Sequence, residues 1–222
     1  MTSVSVIGTG KMAAAITEVF IRSKASVQVL GRSPDPGGPI EQLDVEHAVI
    51  GDDLTGDVVV LAVPYEAFGD VIARCGDQLD GKVVVDISNP IDFSTFDELV
   101  VPTGSSAAAE LSQQIPTARV VKAFNTTFGH TLVHGTVDGT PTTVLLAGDD
   151  VDAKVALMEV VEAAGMRAVD VGLLPRAKDL ESTGFLQITL AALAQTSFDS
   201  GFALSPFDTD AARRARTEVV PD

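Results

Sequence analysis

The stretch Ser3-Val4-Ser5-Val6-Ile7-Gly8-Thr9-Gly10-Lys11-Met12-Ala13-Ala14-Ala15-Ile16 decides how the rest of the chain is read. Its first five residues form a short strand-like run, and the residues from Lys11 onward have the composition of a helix. Gly8-x-Gly10-x-x-Ala13 joins the two with no spacer, which is the context in which the pyrophosphate of a dinucleotide is bound. Gly8 permits the tight turn, Gly10 has no Cβ to block approach to the backbone, and Ala13 lets the helix lie close to the sheet. The helix start adds free N–H groups and a partial positive charge, so Thr9, Lys11 and Met12 join the two glycines as expected contacts.

Outward from this turn, apolar runs recur at Val27 to Leu30, Val58 to Val63, Val83 to Ile87, Val120 to Phe124 and Thr143 to Ala147. Runs so rich in valine read as strands buried on both faces. Helical spacing between several of them, as in Met12 to Arg22 and Tyr65 to Cys75, predicts a parallel sheet with crossover helices. Ser33 to Gly38, with two prolines and two glycines, reads as a surface loop followed by an irregular second crossover. Further along, Gly148-Asp149-Asp150 is a helix-start signal for Val151 to Ala164, a strand follows near Arg167 to Val171, and a last helix spans about Ala177 to Ser197. That helix is apolar on more than one side, through Leu180, Phe185, Leu186, Ile188, Leu190 and Leu193. It is expected to pack in the core or against a second subunit. The pattern is α/β, a Rossmann-type doubly wound, mostly parallel sheet. The expected division is a nucleotide-binding domain over 1–147, a smaller, mainly helical C-terminal portion over 148–204, and a flexible tail over 205–222.

Of the 222 residues, 45% are apolar, which is ample for a buried core, and the net charge of −16 comes from 31 acidic against 15 basic residues. No basic stripe is present, so nucleic acid and anionic membrane are excluded as expected partners. The acidity reads as a solubility feature, suited to a salty cytoplasm, and it requires any anionic ligand to find locally positive groups. No window approaches a membrane span, and the first strand starts too near Met1 for a signal peptide, so a cytoplasmic protein is expected. The single cysteine, Cys75, reads as a packing residue rather than a disulfide partner or metal ligand.

Specificity is read at the end of the second strand, where Leu30-Gly31-Arg32-Ser33 carries no carboxylate for the ribose hydroxyls of NAD. Arg32, with a planar charge-assisted fork, and the hydroxyl of Ser33 suit a 2′-phosphate instead, which favours NADP. Ligands in such sheets bind beyond the carboxyl ends of the strands, so Ala62, Val63 and Pro64 are placed at the nicotinamide end of the groove. The same argument applies to Ser88-Asn89-Pro90 and to Asn125-Thr126, with Asn89 and Asn125 placed to converge on a reacting ring. No side chain stands out as an acid or base, and His47 in the second crossover and His130 and His134 in an expected loop lack triad or metal spacing. With neither a catalytic residue nor a metal site indicated, the pattern suits hydride passing between two bound rings, where the protein supplies alignment.

Taken in order, Gly8-Thr9-Gly10, Gly31-Arg32-Ser33, Ala62-Val63-Pro64, Ala107 to Leu111, Val120 to Thr126, Gly148-Asp149-Asp150 and Leu173 to Ala177 resemble the NADPH:F-420 oxidoreductase family. The resemblance runs from about Ser3 to Leu204, and Val121 to Thr126 is also similar to the reductase domain of the membrane ferric reductases, which carry a transmembrane domain absent here. It implies a homodimer and hydride transfer between NADPH and coenzyme F-420, or FAD or FMN. Thr9, Gly10, Arg32, Ser33 and Pro64 would contact NADP, and Asn125 and Thr126 would lie near the stacked rings. Archetypal members have histidine then threonine where this chain has Asn125-Thr126, and the tail beyond Leu204 has no counterpart in them. Two alternatives stand beside this reading. Gly10 to Ile16 is also similar to pyrroline-5-carboxylate reductase, a family with a longer helical dimerisation domain, and a noncatalytic NADPH-binding sensor is compatible with the same motifs.

Overall fold

A computed structural model describes residues 2–35 and 37–204; the expected tail over 205–222 lies outside the described residues. The strands are β1 (Ser3–Ile7), β2 (Ser26–Gly31), β3 (Glu46–Val49), β4 (Val58–Leu61), β5 (Val83–Asp86), β6 (Arg119–Lys122), β7 (Thr136–Val137), β8 (Thr140–Pro141), β9 (Thr143–Gly148) and β10 (Arg167–Asp170). The helices are α1 (Lys11–Arg22), α2 (Phe68–Cys75), α3 (Ala107–Gln114), α4 (Gly129–His134), α5 (Val151–Ala163) and α6 (Ala177–Ala192). Eight strands form one sheet in the order β10-β9-β6-β5-β4-β1-β2-β3, and β7 and β8 make a small separate hairpin. All neighbours in the large sheet are parallel except β6 and β9, so β9 and β10 run against the other six. This is the Rossmann-type, mostly parallel architecture expected, and the sheet continues through residue 147 into β10.

Alternation along each strand feeds two cores, one on each face of the sheet. Val58, Val60, Val83 and Val85 face the cluster built with Ile16, Val19 and Phe20 of α1 and Leu157 and Val161 of α5. Val59, Leu61 and Val84 face the opposite cluster with Phe68 and Val71 of α2 and Leu111 of α3. Burying each such side chain stabilises the fold by roughly 1.5–3 kcal/mol, which is why these strands read as near-continuous valine runs. Cys75 belongs to the second cluster and is buried, as a packing residue should be, and burial pushes its thiol up from the usual range.

Three local expectations need correction. The second crossover is not merely irregular: after a 3-10 turn at Gly38–Gln42 it contributes the edge strand β3, which holds His47. The four-residue run Glu46–Val49 is only half-buried, so its apolar signal is weak in sequence. His130 and His134 lie on the short helix α4, four residues apart, with their rings stacked at 3.9 Å. Finally, α6 stops at Ala192, and its buried face carries Ala177, Leu180, Glu181, Gly184, Gln187 and Ala191 while Leu186 and Leu193 are exposed. By contrast, Asp150 caps α5 as anticipated, accepting from the N–H of Ala153 at 2.7 Å.

Candidate functional site

The β1–α1 turn forms because Gly8 adopts φ +128°, where an L side chain is strained, and because a Cβ there would strike the carbonyl oxygen of Ala62. The N–H of Gly8 donates to Leu30 O at 2.9 Å and that of Ala62 to Ile7 O at 2.8 Å, tying the turn to both neighbouring strands. At Gly10 a Cβ would meet nothing within 4 Å, since the residue faces open space. The first helical hydrogen bond runs from Ala14 N to Gly10 O, which leaves the N–H groups of Lys11, Met12 and Ala13 without a helical acceptor. No acidic residue occupies that first turn. A free, positively polarised helix start beside an open glycine fits the pyrophosphate of a dinucleotide.

This turn opens into a cleft of about 500 Å³. Gly8, Thr9, Gly10, Arg32, Ala62, Val63 and Pro64 all line it, so seven residues singled out from sequence come together in one place. Gly31 is required where it stands, because a Cβ would come within 2.9 Å of the Thr9 methyl. Lys11, Met12 and Ser33 border this region in sequence but are outside the lining, and the Ser33 hydroxyl accepts from Asp35 N at 3.3 Å. Ile50, Asp70 and Arg74 line the cleft and were not anticipated. Ile50 follows β3, the strand missed in sequence, and Asp70 and Arg74 lie one turn apart on α2, where they read as ordinary helix-surface charges.

At the ends of β5 and β6, Asn89 and Asn125 do converge. Asn89 Nδ2 donates to Asn125 O at 2.8 Å, Asn125 Nδ2 donates to Asn89 Oδ1 at 2.9 Å, and the same amide donates to Leu180 O at 2.9 Å. Phe124, buried and in the left-handed region at φ 62°, makes the turn that presents Asn125. Helix α6 crosses this pair at Gly184, where a Cβ would collide with Asn89 Oδ1 and lie 2.8 Å from Asn125 O. Ser88 Oγ, Asn125 Oδ1 and Thr126 Oγ1 are buried here with no partner. Buried polar atoms left over at strand ends are what a polar ligand would satisfy.

Beneath these residues lies an ion cluster that sequence reading missed. Lys122 Nζ is 2.8 Å from Asp86 Oδ2 and 2.7 Å from Glu181 Oε1, and it donates to Ser88 O at 2.5 Å. All three ionisable side chains are fully buried. Glu181 also accepts from Ala107 N at 2.9 Å at the start of α3, and Asp86 Oδ1 accepts from Ser88 N at 2.7 Å. Burial pushes the Glu181 carboxyl above its usual range and nearby Asp86 adds to this, against the pull of Lys122. Lysine in Val121-Lys122-Ala123 was legible as an exception within an apolar run, but its partners, 36 and 59 residues away in sequence, were not.

With this geometry in place, residues 3–90 match the family described as "NADP oxidoreductase coenzyme F420-dependent". The chain is similar to this family of NADP-dependent oxidoreductases. It is 30% identical over 139 residues to the F420-dependent NADP reductase of Methanocaldococcus jannaschii, covering 61% of this chain and 62% of that protein. It is 29% identical over 183 residues to Metalloreductase STEAP3 of Rattus norvegicus, covering 81% of this chain but 36% of that protein. The chain thus spans between about a third and two thirds of the length of these relatives. Among solved structures, a putative F420-dependent NADP reductase from Arthrobacter sp. FB24 superposes with a TM-score of 0.80 at 23% identity, over 93% of this chain and all of that one, a likeness of fold. Among the described residues, no helix is long and apolar enough to cross a membrane.

Proposed function

We propose that the chain is an NADP-dependent oxidoreductase that passes hydride between NADPH and a second ring, coenzyme F-420 or a flavin such as FAD or FMN. The observation that carries this reading is the cleft in which Gly8, Thr9 and Gly10 meet Arg32 and the Ala62-Val63-Pro64 strand end, with no carboxylate among Leu30 to Ser33. In this reading the α1 start and Gly10 hold the pyrophosphate, with Lys11 and Met12 contributing backbone N–H groups. Arg32 and Ser33 take the 2′-phosphate, and Val63 and Pro64 flank the nicotinamide. Asn89, Asn125 and Thr126 form the polar edge of the ring site, where the buried unpartnered oxygens of Asn125 and Thr126 accept hydrogen bonds. The bound nicotinamide supplies the hydride, and the tricyclic ring takes it together with a proton from solvent. The protein holds the two rings in register and keeps water from between them.

Residues 1–147 carry the nucleotide half of this site, and 148–204 close its ring end through α6. A homodimer belongs to the same reading, because the exposed Leu186 of α6 and Leu193 just after it, with half-buried Phe185, Ile188 and Leu190 beside them, are left without full cover among the described residues.

The test mixes the protein and NADPH with oxidised F-420, FAD and FMN in turn, at low and high salt. Loss of the acceptor's absorbance in step with NADPH oxidation is expected for at least one of them. NADPH binding without turnover on all three would overturn the reading and favour a noncatalytic sensor.

A further inference from the structure

Six arginines lie among the described residues, and four have partners. Arg22 bonds the carbonyls of Leu132 and Val133, Arg119 bonds that of Gly81, Arg176 pairs with Asp179, and Arg167 is also engaged. The remaining two, Arg32 and Arg74, have no hydrogen bond or ion pair among the described residues, and both line the same cleft. They enter it from different walls: Arg32 follows β2, whereas Arg74 rises from the last turn of α2. Gly51, in the turn after β3, sits against the base of Arg74, where a Cβ would lie 3.8 Å from the arginine Cβ. Ile50 and, on the same helix as Arg74, Val71 add apolar lining to the cleft.

We infer that Arg74 is a second cationic contact for the 2′-phosphate of a bound nucleotide, and with Arg32 a determinant of NADPH over NADH. The inference rests on reading the cleft as a nucleotide site. Its physical basis is charge. Arg32, Arg74 and Asp70 are the charged residues of the lining, so the cleft is net positive by one unit in a chain of net charge −16. Without Arg74 that local excess disappears, and a phosphomonoester near two negative charges would face the field of an acidic protein with Arg32 alone. An arginine left unpaired among so many carboxylates is available to a phosphate, which its planar fork matches in geometry.

The test is equilibrium binding of NADPH, NADH and adenosine 2′,5′-bisphosphate to the wild type and to Arg74→Ala. Arg74 is exposed, so the substitution is expected to leave thermal unfolding unchanged. Loss of one charge-assisted contact is expected to weaken NADPH and the bisphosphate about tenfold and to leave NADH within about threefold. Equal weakening of NADPH and NADH, or no change in either, would overturn the role of Arg74. A wild type that prefers NADPH while the variant is unchanged overturns that role alone. A wild type that binds none of the three probes overturns the reading of the cleft itself, and the role of Arg74 with it.

Discussion

Lys122 and Asp86 stand opposite one another in the register of β5 and β6, with Nζ 2.8 Å from Oδ2 and no exposed side-chain surface on either. Placing both ions in the interior costs several kcal/mol each, which only close partners offset. Lys122 has three such partners: Asp86, Glu181 and the carbonyl of Ser88. The ammonium thereby ties β5, β6, α6 and the loop leading to Asn89 into one unit. Replacement by methionine, which fills similar volume, leaves two carboxylates facing each other in a dry site. Lys122→Met is therefore expected to lose about 3–5 kcal/mol in urea unfolding, and Lys122→Met with Glu181→Gln to recover part of that loss. A loss in the single variant below about 1 kcal/mol would mean that the carboxylates are not confined as the geometry indicates.

Glu181 gives this cluster a pH signature. Its folded-state pKa is raised from the ordinary 4.5, chiefly by burial. The folded form therefore holds its proton more tightly than the unfolded chain. For a group shifted in that direction, the stabilising contribution is complete below the unfolded value and is lost as pH rises through the folded one. Lys122 opposes the shift and Asp86 and the burial promote it. The difference in unfolding free energy between wild type and Glu181→Gln, measured from below pH 4.5 upward, is expected to move steadily against the wild type as Glu181 ionises. A difference independent of pH would show that the carboxyl has the same affinity for its proton in both states.

Much of the cleft at the glycine turn was legible in sequence because its determinants are local. Gly8, Gly10 and Ala13 act within one turn, and Arg32 is fixed by the end of a strand whose valine pattern is plain. The strand ends at Pro64, Asn89 and Asn125 followed from topology. What escaped detection depended on contacts distant in the chain. The apolar count of α6 was visible, but its inward face could not be chosen, because Glu181 and Gln187 are buried while Leu186 is exposed. Glu181 faces inward to meet Lys122, and Gly184 because Asn89 and Asn125 leave no room for a Cβ. The half-buried strand β3 was lost for a different reason, its weak alternation, and Ile50 was lost with it.

Arg32 provides the most direct check of cofactor choice. It is exposed at the cleft wall and has no partner among the described residues, so its removal leaves the fold intact. Arg32→Ala is expected to raise the KM for NADPH by about tenfold or more, the worth of a charge-assisted pair, while the KM for NADH stays nearly constant. Steady-state kinetics with both nucleotides decides the matter, and equal effects on the two would remove Arg32 from the 2′-phosphate.

The ring end can be perturbed separately through Gly184. A methyl group added there collides with Asn89 Oδ1 and sits 2.8 Å from Asn125 O, both backed by backbone or by the opposing amide. Neither neighbour is the end of a long flexible side chain, so α6 must shift outward or the Asn89–Asn125 pair must open. Overpacking of this kind costs roughly 1–3 kcal/mol, which lowers the unfolding temperature without preventing folding. The glycine turn and Arg32 lie on other elements, so NADPH binding is expected to survive. Turnover with the tricyclic acceptor is expected to fall by an order of magnitude or more, because a displacement near 1 Å in aligned rings is that costly. Gly184→Ala should thus separate kcat from nucleotide affinity, read by NADPH binding and acceptor reduction on the same preparation. A variant that loses both together would place α6 in the nucleotide site, and one that loses neither would take the asparagine pair out of the reaction.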